Sequence, residues 1–278
     1  MIIDLLSEPF QFSFMFRALI ICICVGTICP FLGAHVINRQ MGFMGDALAH
    51  SVMPGMVVSY IIGISPFFGA IPMGIVVALL IGFLVRKTKI SNDTSIGIMF
   101  TGLFAIGLIM ISLMGGLTVN LEDLLLGQVT STSVSDLYTT LFLTTFVLVV
   151  MCILYKQMIF TGFDYEGATV IGLKAGMIDY ILLGLLSIVI VVTLQAVGII
   201  LVVGMLITPA AAASLVVNRF SKLVLVGIAF GIISAIGGLY ASYYFDLPSG
   251  PSIALMSTSI FCVTFIKRQI QLKLSVAI

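Results

Sequence analysis

Residues 182–217 read LLGLLSIVIVVTLQAVGIILVVGMLITPAAAASLVV and contain no charged side chain. A helix needs about 20 apolar residues to cross the hydrocarbon core of a bilayer, so this stretch has room for nearly two spans that meet at Val197–Gly198. The rest of the 278-residue chain is similar, with 61% hydrophobic and 8% charged residues. Because soluble domains carry about 25% charged residues, the composition excludes a soluble enzyme, and it equally excludes a disordered chain.

Apolar runs separated by polar residues, glycine or proline predict about nine membrane helices, within a range of about eight to ten. The predicted spans are residues 14–37, 45–63, 66–85, 94–114, 136–156, 179–196, 198–217, 222–242 and 250–267. The predicted fold is therefore an all-α, polytopic membrane helix bundle, with residues 1–278 forming a single transmembrane domain. The first residues have no basic region and no small-residue cleavage signal, so no removable signal peptide is predicted.

Two connections are longer than turns. Residues 115–135 are predicted to form an outer segment with a short amphipathic piece near residues 121–129. Residues 161–178 are predicted to form an inner segment of one or two short helices, broken at Gly167, Gly172 and Gly176. This inner segment is the longest predicted cytoplasmic feature, which favours a docking role over a plain solvated loop.

The positions of lysine and arginine predict the orientation, because cytoplasmic connections are enriched in both. Basic residues fall at alternate connections: Arg39, Arg86, Lys87, Lys89, Lys156, Lys174, Arg219, Lys222, Lys267, Arg268 and Lys273. The opposite connections are acidic: Asp4, Glu8, Glu122, Asp123, Asp136 and Asp246. The carboxyl terminus is therefore predicted inside, with the amino terminus outside for nine spans and inside for an even number. The net charge of +1 gives no sign of a nucleic-acid partner.

Asp46 and His50 are the clearest functional candidates, in MGFMGDALAHSVMPG at the start of the second predicted span. Charged groups at membrane depth are costly and usually functional, and a spacing of four residues places both side chains on one helix face. A carboxylate with a neutral imidazole suits Mn²⁺, Zn²⁺ or Fe²⁺. The alternatives are a buried ion pair or a polar helix end. Two ligands do not complete a coordination shell, but a twofold dimer would bring two such pairs together.

The other metal-binding residue types are predicted to be packing residues. His35, the only other histidine, is expected to form hydrogen bonds inside the bundle. The methionines that flank the pair (Met44, Met53 and Met56) and the five cysteines, all in apolar runs, are expected to pack as hydrophobes.

Glycine and proline mark a second candidate feature. Gly204 and Pro209 would break or bend the helix over residues 198–217, and Pro54–Gly55 interrupts the second span just past His50. Broken helices at depth line protein or a water-filled cavity, so a pathway wall and ordinary packing kinks both stay open. No GxxxxGK[ST] motif occurs, so ATP, if used, is hydrolysed on another polypeptide. The chain is therefore predicted to be a non-catalytic membrane subunit with no permanently bound cofactor.

Five segments, in order along nearly the whole chain, resemble one known family: Asn38–Tyr60, Ser91–Phe100, Leu124–Val129, Phe163–Leu173 and Val197–Ala213. The sequence is similar to the membrane permeases of bacterial ABC importers for manganese, zinc and iron(II), and its HSVMPG pattern looks more like the manganese/iron branch. The resemblance implies a fold like that of the cobalamin and siderophore importer permeases, located in the bacterial inner membrane.

The resemblance also implies partners and residue roles. The partners would be a second copy of the chain, cytoplasmic ATPase subunits and an extracellular metal-binding protein. Asp46 and His50 would contact the ion in transit. The docking segment for the ATPase would include Phe163, Asp164, Glu166 and Gly172, and the pathway helix would include Gly204, Thr208 and Pro209.

Two other functions remain open from the sequence. One is a stand-alone ion-coupled transporter or channel with Asp46 as the carrier, which internal inverted repeats would favour; the two halves show no convincing self-similarity. The other is a permease for chelated iron or a cobalamin-like cofactor, which calls for a wide, neutral cavity rather than a convergent carboxylate and imidazole.

Overall fold

The computed structural model describes residues 8–88, 90–113 and 132–276. A short 3₁₀ helix, Glu8–Gln11, precedes eleven α-helices in these ranges. The helices are α1 (Ser13–Asn38), α2 (Met44–Ser51), α3 (Met53–Ile62), α4 (Pro66–Thr88), α5 (Asn92–Leu113), α6 (Val134–Phe163), α7 (Tyr165–Val170), α8 (Ala175–Val197), α9 (Ile199–Val216), α10 (Phe220–Phe245) and α11 (Ser249–Val276).

The all-α membrane fold predicted from the composition is confirmed. Eight helices in the described residues are long and apolar enough to cross a membrane, and α2 with α3 occupies the one remaining predicted span, 45–63. The junction predicted at Val197–Gly198 is also found there, because Gly198 takes a φ of +84° between α8 and α9. A side chain rarely adopts that backbone region, so glycine is the natural residue at this sharp turn.

The second predicted span is interrupted just past His50. Helix α2 ends at Ser51 and α3 begins at Met53. Pro54 has no backbone N–H to donate to the carbonyl of His50, four residues earlier, so the helix loses one backbone hydrogen bond at this point. The interruption predicted from Pro54–Gly55 is therefore present, and it falls directly after the histidine of the candidate pair.

Other helix breaks that the sequence predicted are not found, although at Gly204 and Pro209 the prediction was a break or a bend. Helix α9 runs unbroken through Gly204 and Pro209, since a single proline removes one ladder hydrogen bond while its neighbours stay helical. Gly167 lies inside α7 and Gly176 inside α8. Only Gly172 is a break, because it alone among these three inner-segment glycines adopts a positive φ.

Several helices are longer than predicted. Helix α6 extends to Phe163 rather than ending near residue 156, and α8 begins at Ala175 rather than near 179. Helix α11 extends to Val276 instead of ending near residue 267. The polar residues that mark the edge of a hydrocarbon span do not end a helix, so composition underestimates its length. Residues 115–131 of the predicted outer segment, which include its amphipathic piece at 121–129, lie outside the described residues.

The chain divides into two compact units. The first comprises the described parts of residues 1–34, 122–144 and 196–278. Its helices pack closely through glycine. The backbone of Gly231 on α10 lies against Gly26 of α1, where a Cβ added at Gly231 would be 2.6 Å from Cγ of Pro30. Gly227 and Gly231 form a GxxxG motif, and Gly227 faces Ala210 of α9, so the motif permits close helix approach on two sides.

The second unit comprises the described parts of residues 35–121 and 145–195. Helix α3 approaches α4 where Gly55 faces Gly69, and it approaches α5 where Gly107 faces Met53, with the added Cβ of Gly107 only 3.0 Å from Cβ of Met53. The interrupted span is thus held between α4 and α5, which fixes the position of α2 and its polar residues.

Helix α7 is short but capped at both ends. The Asp164 side chain accepts a hydrogen bond from the backbone N–H of Gly167 at 2.8 Å, as an N-cap residue does. At the other end, Gly172 N–H donates to the carbonyl of Thr169 and Leu173 N–H donates to that of Ala168. With Gly172 at a φ of +84°, this is a Schellman cap. The caps explain why six residues form a helix between α6 and α8.

Replacing Asp164 with alanine is expected to loosen α7. Loss of an N-cap costs about 1 kcal/mol, so amide hydrogens of residues 165–170 should exchange about fivefold faster. Hydrogen–deuterium exchange with mass spectrometry measures this effect. Asp164→Asn should behave like the parent chain, because asparagine also caps. Glu166→Ala, which removes a carboxylate that is not the cap, is the matched control; equal acceleration in both alanine variants would contradict the cap assignment.

Candidate functional site

Asp46 and His50 lie one turn apart on α2, in the second unit. Their atoms Oδ1 and Nε2 are 3.4 Å apart, so both side chains project from the same helix face, as the four-residue spacing predicts. The Asp46 side chain is 44% exposed and the His50 side chain 22% exposed. Neither is closed off inside the chain, and a ligand approaching this face of α2 can reach both.

Two phenylalanines of α5 position the imidazole. The His50 ring lies 5.7 Å from that of Phe100 and 5.2 Å from that of Phe104, the latter edge-on at 69°. The two phenylalanine rings are themselves stacked at 5.8 Å. Sequence reasoning gave neither residue a role, although their spacing of four residues on one helix predicts a shared face. The aromatic contacts restrict the imidazole while its Nε2 faces Asp46.

The donor set of this chain is incomplete for a metal ion. Among the described residues no group of three or more His, Cys, Asp or Glu side chains comes together. His35 is 1% exposed, and its ring lies edge-on to Tyr155 at 6.5 Å. Met44 and Met53 are buried, in keeping with a packing role. The pair thus offers one carboxylate and one imidazole and needs further ligands from elsewhere.

The predicted docking residues lie in α7 and at its two ends. Phe163 is the last residue of α6 and Asp164 is the N-cap of α7, while Glu166 lies in its first turn and Gly172 forms its C-terminal cap. All four are exposed. Side chains that sequence reasoning did not single out add an apolar surface here: Tyr165 is 42%, Val170 85% and Ile171 66% exposed.

The predicted pathway residues lie on α9, in the first unit. Pro209 is buried, and Gly204 and Thr208 are partly buried. A Cβ added at Gly204 would be 3.3 Å from that of Ala254 on α11, so this glycine lies at a helix-packing contact. A role of α9 in lining a pathway stays a prediction.

Known proteins resemble this chain over nearly its whole length. The manganese transport system membrane protein MntC of Halalkalibacterium halodurans is 42% identical over 259 residues, covering 93% of this chain and 89% of that protein. The chelated iron transport system membrane protein YfeD of Yersinia pestis is 34% identical over 271 residues, covering 98% and 91%. The solved structure of PsaBC from Streptococcus pneumoniae in complex with Fab matches with a TM-score of 0.82 at 34% identity, covering 95% of both chains.

The profile of the ABC 3 transport family matches residues 11–268. This range takes in the candidate pair on α2, the segment around α7 and all of α9. With its eight long apolar helices among the described residues, the protein is a multi-pass protein of the bacterial cell membrane. The extent of the family match, together with the identity to relatives of nearly equal length, shows that this chain belongs to the ABC 3 transport family.

Proposed function

We propose that this chain is the permease subunit of an ATP-driven importer for divalent transition-metal ions, with manganese favoured over zinc and iron(II). The observation that carries the proposal is the convergence of Asp46 and His50 to 3.4 Å on an accessible face of α2. The ion would pass between two copies of the chain and be held briefly by this pair from each copy.

The geometry of the pair suits one divalent ion. Ligand atoms at about 2.1 Å from a metal lie about 3.0 to 3.4 Å apart at octahedral or tetrahedral angles. The 3.4 Å separation between Oδ1 of Asp46 and Nε2 of His50 falls within that range. Mixed oxygen and nitrogen donors suit manganese, iron(II) and zinc rather than soft Cu(I).

The exposure of Asp46 supports a second copy of the chain. A carboxylate facing hydrocarbon is costly, and 44% of this side chain is left uncovered by its own chain. A twofold partner at this face would cover it, would add a second carboxylate and imidazole, and would leave room for water ligands. Closed twofold symmetry is also the commonest arrangement of identical subunits.

The relatives favour manganese but include a chelated-iron system. MntC of Halalkalibacterium halodurans, at 42% identity, is named for manganese transport, whereas YfeD of Yersinia pestis, at 34%, is named for chelated iron. A chelated ion already has its ligands filled and would gain nothing from a convergent carboxylate and imidazole. The pair therefore favours a bare ion as the substrate.

The surface around α7 is proposed to receive a cytoplasmic ATPase subunit. Val170 and Ile171 are among its most exposed side chains, in a connection that the basic residues predict to be cytoplasmic. Exposed apolar side chains outside the hydrocarbon spans are typical of protein contact surfaces. An extracellular metal-binding protein would deliver the ion from the opposite side.

Replacing Asp46 or His50 with alanine is expected to lower manganese uptake strongly. Even a group that only supports a metal ligand changes affinity by about 10–100-fold when it is lost, so each variant should lower uptake by about tenfold or more. Cellular metal content after deletion and complementation, under manganese limitation, measures the effect. Asp93→Ala, an exposed aspartate at the start of α5, and His35→Gln are the controls. Normal manganese content in Asp46→Ala cells would refute the proposed route.

Mixing intact and defective copies tests the dimer. If both copies hold the ion, equal expression of the parent chain and Asp46→Ala should leave about one quarter of the uptake, the fraction of fully intact dimers. Two different affinity tags verify equal levels and association. Retention of about one half would mean that each copy works alone, and the shared site would be wrong.

Replacing Val170 with aspartate is expected to weaken ATPase docking. The few central residues that dominate a protein interface each contribute about 2 kcal/mol or more, which corresponds to more than about tenfold in affinity. Co-purification of the ATPase subunit with the tagged permease measures docking, at equal permease levels in the membrane. Val170→Ile keeps an apolar side chain and is the matched control. Undiminished co-purification of Val170→Asp would place the docking surface elsewhere.

A further inference from the structure

Arg39 is a buried cation that joins three elements of the second unit. It follows the last residue of α1 and its side chain is only 10% exposed. Nη1 donates to the carboxylate of Asp179 on α8. Nη2 donates to the carbonyl of Met158 at 3.1 Å and to Oγ1 of Thr161 at 2.9 Å, both on α6. Arg39 therefore holds the end of α6 and the beginning of α8 together.

These contacts flank the proposed docking helix. Helix α6 ends at Phe163 and α8 begins at Ala175, so α7 is carried between the two elements that Arg39 binds. The packing is close at this point, because a Cβ added at Gly162 would be 2.8 Å from Nδ2 of Asn38. A movement of α7 that shifts either flank must stretch or break the contacts of Arg39.

The connection from Arg39 to α2 is short and rigid. Gln40 has a φ of +55°, and Gln40 N–H and Met41 N–H donate to the carbonyls of Ile37 and Val36. This is a capped helix end rather than a slack loop. Met44 N–H then donates to the carbonyl of Met41 at 3.0 Å. Displacement of Arg39 is thus passed to the first turn of α2, which carries Asp46.

A second contact reaches the other side of the candidate pair. Nδ2 of Asn92, the first residue of α5, donates to the backbone carbonyl of Arg39 at 2.9 Å. Helix α5 carries the two phenylalanines that contact His50. Arg39 is therefore linked to both helices that shape the pair.

Asp179 has an alternative partner. Nη2 of Arg86, near the end of α4, is 3.8 Å from Oδ2 of Asp179 and donates to the carbonyl of Gly176 at 2.7 Å. Its Cζ lies 4.4 Å above the ring of Tyr180. Two guanidinium groups thus share one carboxylate at the edge of a cavity of about 670 Å³. The carboxylate can move from one cation to the other without being left unpaired, and the cavity leaves space for that movement.

We propose that Arg39 is a positioning residue that transmits movement of the ATPase-docking segment to Asp46 and His50, through an ion pair in which Asp179 passes from Arg39 to Arg86. The inference rests on the proposed function. Arg39 touches neither the ion nor the ATPase; it ties the segment that the ATPase moves to the helix that holds the ion. A purely structural ion pair would instead affect folding and every activity alike.

The test uses the complete importer, reconstituted in liposomes with its ATPase subunits and its metal-binding protein. Manganese uptake and ATP hydrolysis are measured in the same vesicles for Arg39→Gln, Asp179→Asn and the exchanged pair Arg39→Asp with Asp179→Arg. We expect hydrolysis within about twofold of the parent complex and uptake per ATP reduced about tenfold in the single variants, in the usual range of coupling between sites. The exchanged pair should recover part of the parent's uptake per ATP.

Two controls separate coupling from folding. Lys156→Gln removes an exposed cation from α6 and should leave uptake per ATP unchanged. Arg39→Lys keeps the positive charge, but its single ammonium group cannot reach all three acceptors that the forked guanidinium binds. Its uptake per ATP should therefore lie between that of Arg39→Gln and that of the parent. Thermal unfolding of each complex is measured alongside.

The inference is overturned if Arg39→Gln keeps the parent ratio of uptake to hydrolysis while Asp46→Ala strongly lowers uptake. It is also overturned if uptake and hydrolysis fall together with a lowered unfolding temperature and the exchanged pair recovers nothing. If the parent complex moves no manganese, zinc or iron(II), the proposed function itself has failed, and this inference fails with it.

Discussion

The need of a carboxylate within a membrane for a partner is the constraint on which the proposed site in the second unit depends. Asp46 lies on a helix predicted to enter the membrane, and its own chain gives it His50 at 3.4 Å while leaving 44% of the side chain uncovered. The remaining demand has to be met by water, by a passing cation or by a second copy of the chain. In the proposed site, a divalent cation held between two copies of the chain would meet this demand.

The features that depend on local chemistry could be predicted from the sequence. Hydrophobic runs predicted the membrane helices, Pro54 predicted the break after His50, and the abutting runs at Val197–Gly198 predicted the turn between α8 and α9. Each follows from residue types within one or two turns of the chain. Pro209 and Gly204 carry the same chemistry, yet α9 continues through them, because packing decides whether a helix survives one lost hydrogen bond.

The features that depend on distant residues could not be predicted. Arg39 and Asp179 are 140 positions apart, and no local sequence pattern around either residue predicts that they pair. The same holds for the phenylalanines of α5, whose spacing predicts a shared face but not that His50 packs against it. Both cases are tertiary contacts between helices, which a single sequence does not encode in its periodicity.

The number of donors on α2 fits a transient site better than a resident one. A permanent structural metal centre closes its shell with about four protein ligands, whereas α2 of one chain supplies two, Asp46 and His50. In the proposed site, one carboxylate and one imidazole from each copy would hold an ion only while two chains face each other across it, so a small displacement of either α2 would open the shell. The rigid connection from Arg39 to α2 then matters, because in the proposed coupling it would place that displacement under the control of the segment around α7. Weak coordination shared by two copies and a stiff connection to the proposed docking surface are two requirements of the same transport cycle. The ion must be bound, and it must then be released when the docking segment moves.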